Sequence, residues 1–146
     1  MTYKVVVGVD GSEHGDAALR WALTEATAHD GEVVAVFAWE MPFVSNPAAF
    51  DRDEVEQAGK DFLVKQVSSV APSPAVPLTP LVAEGDPAEA LVIASEDADL
   101  LVVGTRGRSR FFRGLLGPVS LQCAAGARCP VTLVKLPGEN PEEERG

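Results

Sequence analysis

The run KVVVGV, Lys4 to Val9, is the strongest constraint on the fold. Nearly continuous valine makes a strand apolar on both faces, and such strands belong in parallel sheets covered by helices on each side. Valine also loses χ1 freedom in a helix and packs well on a pleated surface. LLVV at Leu100–Val103, VVAVFA at Val33–Ala38 and VTLVKL at Val131–Leu136 are runs of the same kind. A shorter run lies at Leu78–Ala83, and Pro77 and Pro80 restrict it to a sheet edge.

Helical patterns fill the intervals. Ser12 is suited to cap a helix that reaches about Ala28, with Glu13 and Asp16 in its first turn and Leu19, Ala22, Leu23 and Ala26 facing inward. Residues 52–70 form a second, with Val55, Ala58, Phe62, Val67 and Val70 approximating one face. Pro87 opens a third, ending near Ala98, and Pro118 a fourth, reaching Ala127 before Pro130. Residues 40–50, with Pro42 and Pro47, read as irregular, and 71–77 as a loop. Five strands alternating with helices predict a doubly wound α/β fold, a five-stranded parallel sheet with helices on both faces. Residues 1–137 then form one domain, and the tail GENPEEERG, 138–146, has no apolar anchor and is expected to be disordered. In such a sheet ligands bind beyond the carboxyl ends of the strands, where strand order reverses.

Composition narrows the function. No apolar run approaches the roughly 18–20 residues of a membrane span. The start, MTYKVVVGVDGS, lacks the pattern of a secretory signal. Cys123 and Cys129 are too few for a disulfide framework and lack metal-ligand spacing, so reduced, partly buried thiols and a cytoplasmic setting are expected. A net charge of −10 argues against nucleic acid as partner. His14 and His29 stand at opposite ends of the first helix and form no ligand pair. Trp21 and Trp39 are expected in the core or at a dimer contact.

One stretch departs from this acidity. GTRGRSRFFRGLLGPVS, Gly104–Ser120, holds Arg106, Arg108, Arg110 and Arg113, four of the 12 basic side chains, and no acid. Its glycines allow backbone to approach a ligand closely, successive N–H groups there form an anion nest, and the helix beginning at Gly117–Pro118 adds free donors and a favourable dipole. Arginine supplies bidentate donors. Phosphate satisfies all of these. Neither G-x-x-x-x-G-K-[ST] nor a G-x-G-x-x-G after the first strand is present.

Gly104-x2-Gly107-x9-Gly117 resembles the nucleotide-binding motif of the universal stress protein family. VVVGVDGSEHGDAALRWA (5–22) is similar to that family's first strand, Asp-bearing turn and helix, ADLLVVGTRG (98–107) to its fourth strand, and CPVTLVK (129–135) to its last. The resemblance implies strand order 3-2-1-4-5, adenine-nucleotide binding with ATP as the ligand, with or without Mg²⁺, and a homodimer through Val131–Leu136. It implies binding roles for Val9, Asp10, Ala38, Gly104, Arg106, Gly107, Gly117, Val119 and Ser120. Asp10 would accept from ribose hydroxyls, although an Asp before Gly also serves simply to cap a turn. Pro118 departs from the family pattern, which has Ser or Thr there. Proline offers neither hydroxyl nor N–H, and losing one hydrogen bond to a charged acceptor costs roughly 1.5–3 kcal/mol. Ser120 and the arginines are candidates to compensate.

Three roles remain open on these residues: a nucleotide-binding regulatory protein with an unidentified protein partner, an interaction protein of the same fold without nucleotide, and a slow ATP hydrolase. No catalytic residue or metal ligand is identified. The turn V-D-G-S-E-H-G matches neither H-x-G-H nor S-G-G-x-D-S of related transferases, and the glycine loop has no evident general base.

Overall fold

Valine-rich strands and capped helices alternate as the sequence predicts. The computed structural model describes residues 1–40, 51–106 and 116–136. In chain order the elements are β1 (Lys4–Gly8), α1 (Glu13–Ala28), β2 (Glu32–Trp39), α2 (Arg52–Val70), β3 (Leu78–Glu84), α3 (Pro87–Ala94), β4 (Leu100–Gly104), α4 (Pro118–Gly126) and β5 (Val131–Val134). The five strands are parallel, in the order β3-β2-β1-β4-β5.

Side chains alternate across the sheet and divide the core in two. Val5 and Val7 of β1 join Leu19 of α1 and Leu63 of α2 on one face. Val6, with Leu101 and Val103 of β4, meets Leu91 of α3 and Cys123 of α4 on the other. The register sets Val5 beside both Val33 and Leu100, so β1 lies between two covalently distant strands. The helices start where capping chemistry allows. Ser12, Asp51 and Asp86 each accept from a backbone N–H of the following turn, and Pro87 and Pro118 occupy first-turn positions.

Several boundaries differ from expectation. β1 stops at Gly8, although Val9 N–H still reaches Val36 O at 2.8 Å. α3 ends at Ala94, not near Ala98: Ser95 caps it, and Ala98 N–H turns back to Ser95 O at 3.0 Å to feed β4. β5 ends at Val134, where its partner β4 also ends, Gly104 opposite Val134. On α2 the buried residues are Gly59, Leu63 and Val67, and Ala58 is exposed. This spacing of four follows one helical ridge. Gly59 lets the helix settle on Phe37 and Val82, whose atoms would lie 3.5 and 3.3 Å from a Cβ there. Trp21 is 37% exposed and outside the core, and Trp39 is half-buried. The expected irregular segment 40–50, apart from Glu40, and the tail 138–146 lie outside the described residues.

The two sheet edges differ. Val33 N–H donates to Pro77 O at 2.9 Å and Gly85 N–H to Trp39 O at 2.7 Å. Backbone direction alternates along a strand, so Thr79, Leu81 and Ala83 face β2 and Pro80 faces outward. Proline thus falls where no ladder donor is required. On β5, Pro130 O and Val134 O accept from β4-side amides of Leu101 and Thr105, so the backbone groups of Val131 and Leu133 point outward.

Cys123 has no exposed surface, and its burial, with a smaller contribution from Asp86, pushes the thiol up to about 11 from an ordinary 9.0. The raised value stabilises the fold below pH 9, and that contribution is lost as pH rises from about 9 towards 11. Denaturant titrations should therefore show stability falling across this window, with a shallower fall in Cys123→Ala.

Candidate functional site

A cavity of about 370 Å³ opens at the carboxyl ends of β1, β2 and β4. Its position follows from strand order. After β1 the chain goes to β2, and only later returns to β4 on the other side, so the loops after β1 and β4 part over the gap.

The first wall is the turn after β1. Gly11 adopts φ 83°, a left-handed conformation that glycine takes without a Cβ penalty, and the chain reverses there into α1. Asp10 Oδ1 accepts from Ser12 N–H at 3.0 Å and from the Ser12 hydroxyl at 2.5 Å. Ser12 Oγ in turn accepts from Gly15 N–H at 3.0 Å. Asp10 therefore orders the turn and lines the cavity as well.

The second wall is the end of β2. Its even-numbered residues face β1, as the Val9-to-Val36 bond shows. β2 outruns β1, so the N–H and C=O of Ala38 emerge beside the cavity with no strand opposite them. Among the described residues neither the Ala38 N–H nor the Val9 C=O has a backbone partner. Such a free donor and acceptor pair suits the edge of a heterocyclic base.

The third wall joins β4 to α4. Gly104, Arg106, Gly117, Val119 and Ser120 line it, and Gly107 lies outside the described residues. Gly117 N–H donates to Thr105 O at 2.8 Å, and Leu121 N–H to Gly117 O at 3.1 Å. Pro118 has no N–H, so the free donors at the start of α4 are those of Val119 and Ser120. No acidic residue stands in this first turn. The dipole and the two amides favour an anion. The Ser120 hydroxyl is directed elsewhere: it is buried and lies 3.0 Å from Gly104 O and 2.9 Å from Thr105 O. Its proton ties α4 to β4, and its backbone N–H is what it offers a ligand.

Sequence reasoning missed the apolar lining. Val36, Phe37, Pro87, Leu91 and Val103 shape the cavity, and Gly15 forms part of its wall. Each reads as ordinary core or helix start, and only the strand order brings the start of α3 to this cleft. Among the described residues no three or more His, Cys, Asp or Glu side chains are grouped to hold a metal ion, and no helix is long and apolar enough to cross a membrane.

The arrangement defines a doubly wound α/β protein with a cavity at the reversal of strand order, lined by unpaired backbone groups and an anion-favouring helix start. Residues 1–135 match the model of the Universal stress protein family, and the chain belongs to that family. Universal stress protein MJ0531 of Methanocaldococcus jannaschii is 34% identical over 140 residues, covering 92% of this chain and 82% of its own length. Universal stress protein Rv2623 of Mycobacterium tuberculosis is 34% identical over 132 residues, covering 90% of this chain. The chain spans only 44% of that relative's length. A crystal structure of a universal stress protein in complex with cAMP superposes with TM-score 0.70 at 26% identity, covering 92% of this chain and 97% of the other.

The glycines of the third wall differ in what they do. A Cβ on Gly104 would lie 2.8 Å from His14 Cβ and 2.9 Å from His14 O, so α1 touches β4 there. A Cβ on Gly117 would meet nothing closer than 3.6 Å, and its φ of −67° suits any residue. Gly104→Ala should lower stability by about 1–3 kcal/mol. Gly117→Ala should cost under ~1 kcal/mol, the difference between these residues at an N-cap. Chemical denaturation of the two variants checks both.

Proposed function

We propose that this chain is an adenine-nucleotide-binding regulatory protein of the stress response, with ATP as its ligand, acting in the cytoplasm as a homodimer. The observation that carries the reading is the pairing, across one cavity, of free backbone groups at Ala38 with the free amides of Val119 and Ser120. The first suits an adenine edge and the second a phosphate, and Asp10, which lines the same cavity, would be the acceptor for ribose hydroxyls. The complex of a 26%-identical relative with cAMP supports an adenine nucleotide as the ligand class. Arg106, which lines the cavity, and the basic stretch that follows it in sequence would add charge for further phosphates. Mg²⁺, when it accompanies the nucleotide, would be held chiefly by the phosphates and waters. Residues 1–137 would act as the one nucleotide-binding domain.

A second reading is favoured by Pro118, which removes a donor where the family has Ser or Thr: an interaction protein of the same fold that works without nucleotide. Denaturing purified protein and chromatographing the supernatant separates the two, followed by calorimetry with ATP and Mg²⁺ on emptied protein. Bound adenine nucleotide, or affinity on the order of micromolar, supports the first reading. An empty protein with no heat of binding supports the second. Gly107→Val and Gly117→Val should each abolish binding while thermal unfolding stays cooperative, and unchanged affinity would refute the phosphate role of these positions.

The dimer would form by pairing of β5 with its copy. The outward edge of β3 is interrupted by Pro80, whereas β5 turns the backbone groups of Val131 and Leu133 outward and its four residues are all half-buried. Leu133→Pro would remove an outward donor and leave the β4 ladder intact. Sedimentation equilibrium should show this variant monomeric with its circular dichroism retained. A dimer of undiminished strength would remove β5 as the interface.

A further inference from the structure

Asp10 and Gly15 are linked twice in the turn after β1. The first link is the chain of hydrogen bonds in which Gly15 N–H donates to Ser12 Oγ while Ser12 donates to Asp10 Oδ1. The second is space. A Cβ on Gly15 would lie 2.7 Å from Asp10 Oδ1, 3.3 Å from Asp10 N and 3.4 Å from Ser12 Oγ, and these are its three nearest atoms. Gly15 is helical and its φ is not positive, so backbone conformation does not call for glycine. Glycine weakens a helix, so its presence in this first turn needs another reason.

We propose that Gly15 is a positioning residue for the nucleotide site: its missing side chain leaves the space that the Asp10 carboxylate occupies, and so fixes the carboxylate's orientation towards the ribose. The inference rests on the reading of Asp10 as acceptor for ribose hydroxyls. The atom nearest the added methyl is the end of a short rotatable group, so the carboxylate would move most, and the 3.3 Å contact with Asp10 N asks only a small backbone adjustment. Oδ1 then loses the geometry of its two bonds from Ser12, and the other oxygen, which has no partner among the described residues, turns with it. The groups at Ala38 and at the start of α4 belong to other elements and keep their places. Gly15 thereby favours ribonucleotides over ligands lacking the 2′ and 3′ hydroxyls.

The test is calorimetry of ATP and 2′,3′-dideoxy-ATP on emptied wild type, Gly15→Ala, Asp10→Ala and the double variant, with thermal unfolding of each. Wild type should prefer ATP by about 10- to 100-fold, the worth of a hydrogen bond to a charged acceptor. Gly15→Ala should lose most of this preference through weaker ATP binding, with dideoxy-ATP affinity little changed. Adding it to Asp10→Ala should change nothing further. A Gly15→Ala protein that keeps the wild-type preference, or weakens both ligands equally, overturns the inference while leaving the reading of Asp10 standing. One that unfolds and is rescued by Asp10→Ala would make the contact a requirement of the fold, which also overturns it. Wild type that binds both nucleotides equally removes the ribose role of Asp10, and wild type that binds neither removes the proposed function; the inference falls with either.

Discussion

Burial of β1 on both faces and along both edges is the constraint on which the rest of the structure depends. Val5, Val6 and Val7 have no exposed surface, and enclosing each such side chain contributes roughly 1.5–3 kcal/mol. No single layer can do this. Val5 and Val7 require α1 and α2, Val6 requires α3 and α4, and the strand's edges require β2 and β4. A chain that leaves a central strand first to one side and later to the other must separate the loops that follow its two middle strands. The cavity is thus a consequence of how β1 is buried, and the polar groups on its wall are what the strand ends leave unpaired.

The same central strand leaves two edges, which the sequence treats unlike each other. β3 carries Pro80 on its outward side, where it interrupts pairing with another strand. It also exposes Thr79, Pro80 and Leu81 to solvent. β5 has no proline within its span, and its apolar side chains are half-covered. Exposed strand edges favour pairing with further strands, so the asymmetry bears on assembly and says nothing of the ligand site.

Much of this was legible in the sequence because it depends on local chemistry. Continuous valine marks a doubly covered strand, and Ser12 and Pro87 mark helix starts by caps and fixed dihedrals that need no tertiary context. Even the outward placement of Pro80 follows from its missing N–H. On α2 the expected Val67 and Val70 meet the core and Phe62 packs on Phe37, but Ala58 is exposed, because counting apolar residues overlooks Gly59, which is buried against the sheet without a side chain. Of the two places expected for Trp21, the core is excluded, because the inward stripe of α1 is already taken by Gly15, Ala18, Leu19, Ala22 and Ala26. The apolar lining of the cavity could not be read at all, since Leu91 reaches it only through the crossover that brings α3 beneath the strand ends.

The glycine motif shows why a sequence pattern can persist while its chemistry changes. Gly104 is required by the approach of His14 and would be required with no ligand present. Gly117 has room for a side chain and an ordinary backbone, so the fold alone does not demand it. Ser120, which reads as a phosphate donor, spends its hydroxyl on the carbonyls of Gly104 and Thr105 and thereby fixes the start of α4. Pro118 belongs with these structural residues, since its fixed φ suits the first helical position and its missing N–H would have been unpaired there. Structural demands therefore account for Gly104, Pro118 and Ser120. Gly117 stands at the N-cap of α4, and the amides of Val119 and Ser120 are free there as in the first turn of any helix, so these positions keep donors available at the cavity without the fold spending them.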